Sequence, residues 1–69
     1  MIPPLDIFKV YPNGDVLWIE SARDIETAKT QIRMRGPAAP GEYVILSQIT
    51  GRKTLFMVNK KGELTEAAY

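Results

Sequence analysis

The chain contains no cysteine and no histidine. That removes thiol nucleophiles, disulfides, thiolate or imidazole metal sites and histidine acid–base catalysis together. Charge of one sign is also missing: nine Lys/Arg against eight Asp/Glu leave a net +1, which attracts neither nucleic acid nor an anionic membrane as a whole. Long apolar runs are absent as well, since no stretch approaches the ~20 residues of a membrane span. The opening Met1-Ile2-Pro3-Pro4-Leu5-Asp6 has neither the basic start nor the apolar stretch of a signal peptide. A cytoplasmic chain with no membrane partner is the expectation. Its carboxylates fall on turns, strand ends and the start of a helix, and no two are set by local spacing as an acid–base pair or an oxygen cage. Ser47 has no base to activate it, and no glycine-rich loop has phosphate-binding spacing. The expectation is a protein that is not an enzyme and that uses no cofactor and no metal.

What is present is an ordinary globular composition, 45% hydrophobic and 25% charged, in 69 residues. One domain over 1–69 follows, with 1–4 as an extension and 62–69 as a peripheral tail. A chain of this size buries only about 60% of the surface its unfolded form exposes. With no disulfide or metal staple in reach, self-association is the remaining route to stability.

Leu5–Tyr11 and Val16–Ala22 are rich in β-branched and aromatic residues and flank Pro12-Asn13-Gly14-Asp15. Asn-Gly between such runs signals a hairpin. A two-residue turn at Asn13-Gly14 sets Tyr11 opposite Val16, Val10 opposite Leu17, Lys9 opposite Trp18 and Phe8 opposite Ile19. Phe8, Val10, Leu17 and Ile19 then share one face, and Ile7, Lys9, Tyr11, Val16 and Trp18 lie on the other. Lys9 would meet the Trp18 ring, either as a cation–π pair or by laying its stem across it.

Ser21-Ala22-Arg23-Asp24 approximates a capping box, and Gly36-Pro37 provides a stop preceded by Arg33 and Arg35. The spacing predicts a helix over about 22–35 with a narrow apolar stripe of Ala22, Ile25, Ala28 and Ile32, and with Met34 pointing away. Glu42–Thr50 and Thr54–Lys60 read as a second hairpin closed by a two-residue turn at Gly51-Arg52, placing Ile49 opposite Thr54. Ile45, Ser47, Phe56 and Val58 share one of its faces; Val44, Leu46, Leu55 and Met57 share the other. Lys60–Tyr69 reads as a turn and a loose tail with a lone Leu64.

The order ββαββ predicts an α+β fold, a four-stranded, mainly antiparallel sheet with one helix on one face. Whether one central pair is parallel stays open, because the crossover decides it. One short helix cannot cover two faces. The apolar surplus therefore predicts a non-catalytic interaction module, a homodimer with Ile7, Tyr11, Val16 and Trp18 at its interface and a protein partner elsewhere. Association through the sheet face and through a strand edge are both open. The alternative is a nucleic-acid-binding module using a basic rim of Arg33, Arg35, Arg52, Lys53, Lys60 and Lys61. No repeated basic–aromatic spacing accompanies those cations, so a solvated charged rim competes with it.

The run Gly41-Glu42-Tyr43-Val44-Ile45-Leu46-Ser47-Gln48-Ile49-Thr50-Gly51-Arg52-Lys53 follows a helix opening with Asp24-Ile25-Glu26-Thr27-Ala28-Lys29. In this the chain resembles small bacterial domains of ββαββ layout, from about Leu5 to Asn59. The resemblance implies the fold and a bacterial origin. It carries no activity onto any residue.

Overall fold

Each hairpin turn among the described residues closes on a glycine in the left-handed region, and those turns set the register of the strand pairs they join. The computed structural model describes residues 4–67. Its strands are β1 (Leu5–Val10), β2 (Val16–Ala22), β3 (Gly41–Ser47), β4 (Lys53–Val58) and β5 (Leu64–Ala67), with the helix α1 (Ile25–Arg35) between β2 and β3. They form one α+β layer pair: a five-stranded sheet in the order β2-β1-β3-β4-β5, every neighbouring pair antiparallel, with α1 on one face. The crossover through α1 thus places β3 antiparallel beside β1, and no central pair is parallel.

The sheet has one strand more than the four expected. Residues 64–67, expected within the loose tail, form β5 because Asn59-Lys60-Lys61-Gly62-Glu63 is a tight turn. The Asn59 amide donates to the Glu63 carbonyl (3.1 Å) and the Gly62 amide to the Asn59 carbonyl (3.0 Å), with Gly62 at φ 81°. The Asn59 side-chain oxygen also accepts from the Lys61 and Glu63 amides. Leu64 then packs on the core. Residues 1–3 of the expected extension and 68–69 of the expected tail lie outside the described residues.

The first hairpin uses the same turn. The Tyr11 amide donates to the Asp15 carbonyl (2.8 Å) and the Gly14 amide to the Tyr11 carbonyl (2.9 Å), with Gly14 at φ 95°. This is a type I turn led by Pro12 and ended by a left-handed glycine, a three-residue loop and not the expected two-residue one. Pro12, with its fixed φ, suits the first central position and pushes Asn-Gly one place along. Near the turn the register therefore slips by one residue: Val10 faces Val16, Lys9 faces Leu17 and Phe8 faces Trp18. A bulge that leaves Ile19 without an opposite number restores the expected register, so that Ile7 faces Glu20, Asp6 faces Ser21 and Leu5 faces Ala22.

The second hairpin also departs from a two-residue turn. Ser47 donates to the Arg52 carbonyl (2.9 Å) and Gly51 to the Ser47 carbonyl (2.8 Å), which encloses residues 48–51 with Gly51 at φ 73°. Thr54 consequently faces Ile45 and not Ile49. A slip of four residues is even, so each side chain keeps its predicted face.

Helix α1 begins later than expected. Its cap is Asp24, in extended conformation, whose carboxylate accepts from the Thr27 amide at 2.7 Å. That bond holds the Asp24 carboxyl below its usual pKa. Ser21 and Ala22, expected as cap and first turn, are the last residues of β2, where strand pairing occupies their backbone and Ala22 is buried. Ala28 and Ile32 carry the helix stripe into the core; Ile25 is exposed, and Met34 points away as expected. Alanine at 28 lets the helix lie close to the sheet. Below it lie Ile7, Ala22, Tyr43, Ile45, Phe56 and Val58. Tyr43, Phe56, Ile7 and Ile32 are the largest fully buried side chains, each worth roughly 1.5–3 kcal/mol of burial.

Past its last turn the helix meets the β4–β5 turn at Gly36. This glycine is right-handed (φ −51°), so its role is proximity: a Cβ there would lie 2.6 Å from the Asn59 carbonyl oxygen and 2.7 Å from Val58 Cγ2. Gly36→Ala is expected to cost about 2 kcal/mol through overpacking against backbone. Thermal melting should show a fall in Tm of roughly 10 °C.

Candidate interaction face

Alternation along each strand divides the sheet into two faces. Ile7, Tyr43, Ile45 and Phe56 point under the helix. Their strand neighbours point the other way, where no element among the described residues lies. Cross-strand pairing arranges those residues in rows. The middle row is apolar across all five strands: Trp18, Phe8, Val44, Leu55 and Ala67. On one side of it lie Val16, Val10, Glu42, Met57 and Thr65, and on the other Ser21, Asp6, Leu46 and Lys53. Val16, Trp18 and Met57 are 58%, 53% and 48% exposed. The surface is slightly concave, with a groove of about 480 Å³ over Phe8, Val10, Val44 and Leu55.

Asp6 organises one end of this face. Its carboxylate accepts from Trp18 Nε1 at 3.1 Å, Gln48 Nε2 at 2.8 Å and Ser21 Oγ at 3.4 Å. The indole is thereby held by its polar edge. Sequence reasoning gave Asp6 no role, although its pairing with Ser21 was legible from the register; the link to Gln48 needed β3 beside β1, which local pattern does not contain.

The four residues expected at an interface are parted by the sheet. Val16 and Trp18 lie on the open face, where the one-residue slip near the turn places them beside Phe8 and Val10. Ile7 is fully buried beneath α1 and presents nothing to a partner. Tyr11 sits past the end of β1 on the helix side, where its ring centroid is 5.4 Å from Lys9 Nζ.

Lys9 faces Leu17 and not Trp18, so the expected lysine–tryptophan contact is replaced by another. It is largely buried. Its ammonium donates to the carbonyls of Val10 (3.3 Å) and Pro40 (3.4 Å) and lies 5.0 Å from the Tyr43 ring centroid. Gly41, at φ 134°, makes room for it, since a Cβ there would sit 2.6 Å from Nζ. The Tyr43 hydroxyl donates to the Ala39 carbonyl at 2.6 Å. Together these contacts tie the α1–β3 loop to the sheet. Nearby, Arg35 reaches Glu20 with Nε (2.9 Å) and its terminal nitrogen, joining α1 to β2.

The six cations of the expected basic rim do not form one surface. Arg33, Lys60 and Lys61 gather where the helix end meets the β4–β5 turn, the Gly62 Cβ position being 3.2 Å from the Arg33 carbonyl. Arg52 and Lys53 lie at the β3–β4 turn, at the other end of the strands. Arg35 is neutralised by Glu20. Among the described residues no group of three or more acidic side chains is placed to hold a metal ion, and no helix is long and apolar enough to cross a membrane.

No family model matches the chain, and no curated protein and no solved structure matches it. The bacterial origin implied by the ββαββ resemblance rests on that resemblance alone.

Burial pushes the Tyr43 hydroxyl above the ordinary tyrosine pKa, against a smaller opposing pull from Arg35. The folded state therefore holds this proton more tightly than the unfolded one. Its contribution to stability is complete below about pH 10 and is lost as pH rises through the higher folded value. In an alkaline titration followed by tyrosinate absorbance, one of the three tyrosines should ionise late. Tyr43→Phe should abolish that late step and lower stability near neutral pH by about 1 kcal/mol through the lost bond to Ala39.

Proposed function

We propose that this chain is a non-catalytic interaction module that dimerises through the open face of its sheet. The observation that carries the reading is the apolar row running across five strands with no layer over it among the described residues. The row spans ~19 Å, four strand spacings of ~4.8 Å, and with its neighbours forms a contiguous patch of a kind that marks an interaction site. Trp18 and Phe8 are the aromatic anchors.

The edges offer less. β2 is broken as a pairing template by the bulge at Ile19, and β5 has four residues with Glu66 among them. Both are devices by which sheets avoid edge-to-edge pairing. The face is therefore the better-supported choice. Nucleic-acid binding has less support, because its cations are divided between opposite ends of the strands.

Sedimentation at micromolar concentration should give a mass near twice 7.8 kDa. Leu55→Asp should leave a folded monomer, since the new charge would be buried only in the dimer. Trp18→Ala should weaken association tenfold or more while the circular dichroism spectrum keeps its form. A monomer at all concentrations that binds no apolar dye would defeat the proposal. Salt-sensitive retention of a short oligonucleotide would move the choice to the alternative.

A further inference from the structure

We infer that the second copy sits with its two-fold axis along β3, so that Asp6 of each protomer meets Lys53 of the other; this rests on the dimerisation reading above. β3 is the central strand of five, and rotation about an axis along it exchanges β1 with β4 and β2 with β5. Every strand of one copy then overlies a strand of its partner. An axis along any other strand leaves part of the apolar row uncovered.

The pairing that results is complementary in charge. In the row Ser21, Asp6, Leu46, Lys53, the acid and the base flank Leu46 on the two strands that the axis exchanges. Two reciprocal Asp6–Lys53 contacts follow. The Asp6 carboxylate, already accepting from Trp18, Gln48 and Ser21, keeps an acceptor position for an ammonium. Axes displaced by half a strand spacing do worse. Moved toward β1, the axis sets Asp6 against Leu46 of the second copy; moved toward β4, it sets Lys53 there. An axis across the strands sets Asp6 on Val10, Glu42 on Leu46 and Lys53 on Met57. Each leaves charges desolvated without a partner.

Size is complementary too. Trp18, the largest side chain on the face, meets Ala67; Phe8 meets Leu55; Val10 meets Met57. Val44 and Leu46 lie on the axis and meet themselves. Packed sheets cross at about 30°, so the correspondence is closest at β3 and drifts by about one and a half residues at the outer strands. One residue opposes the arrangement: Glu42 also lies on the axis and faces its own copy at the rim.

Because the chain has no cysteine, a single introduced thiol reports its own position. Val44→Cys and Leu46→Cys should each give a covalent dimer on mild oxidation, as disulfides do between the sheets of a sandwich, or with a short bis-maleimide. Phe8→Cys and Leu55→Cys should give little alone and a covalent heterodimer when mixed. Glu42→Gln should tighten the dimer about threefold by removing a like-charge contact at the rim. Lys53→Glu should weaken it tenfold or more, by setting acid against Asp6. A dimer in sedimentation whose Val44→Cys and Leu46→Cys forms both stay uncoupled, or one in which Phe8→Cys couples to itself, would overturn this axis and leave the dimer standing. A monomer would overturn the dimer itself.

Discussion

An eleven-residue helix is about 16 Å long and ~10 Å wide, and it has a five-stranded sheet of ~19 Å to cover. It protects one side. The core beneath it is complete: Tyr43, Phe56, Ile7 and Ile32 are fully buried, and Leu5, Ile19 and Leu64 close its margins. The other side presents Trp18, Phe8, Val44 and Leu55 in an unbroken row. In a chain with no disulfide and no metal ligand of the cysteine or histidine kind, this imbalance bears directly on stability, and it is the ground of the proposed dimerisation.

The helix is held to its side by close approaches at its exit. Gly36 rests against the β4–β5 turn with no space for a Cβ, and Gly41 opens the space that the Lys9 ammonium occupies. Lys9 fills it between tyrosine rings and backbone carbonyls, and among the described residues no carboxylate pairs with it. The ring faces and carbonyls offset part of the cost of burying that charge. The loop from Gly36 to Gly41 is thus anchored at both ends, which positions β3 antiparallel to β1 in the middle of the sheet.

Turn chemistry decided which parts of the pattern could be read in advance. The exposed and buried sets of the second hairpin were legible although its pairing was off by four residues, because an even slip returns each side chain to its own face. In the first hairpin an odd slip near the turn moved Val16 and Trp18 onto the face of Phe8 and Val10, and the bulge at Ile19 undid the slip farther along. Asp6 then became a hub for Trp18, Ser21 and Gln48, residues that only the assembled sheet brings together. The fifth strand carried a signal that was present and unread: Gly62-Glu63 repeats the glycine–acid ending of Gly14-Asp15, and both close turns with the same pair of backbone bonds.

Local pattern alone determined the types of the first four strands and the helix, the stop of the helix near Gly36, the burial of Ala28 and Ile32, the exposure of Met34 and the existence of more apolar strand than one helix can shelter. Each depends on a period of two or 3.6 residues, or on the backbone preferences of glycine and proline, and those act over a few positions. Tertiary structure decided the strand order, the burial of Ile7, the parting of Val16 and Trp18 from Ile7 and Tyr11, and the meeting of Trp18 with Phe8 on the open face. Those outcomes depend on which strand lies beside which and on a one-residue change of register, and such differences are settled by contacts between residues far apart in the chain.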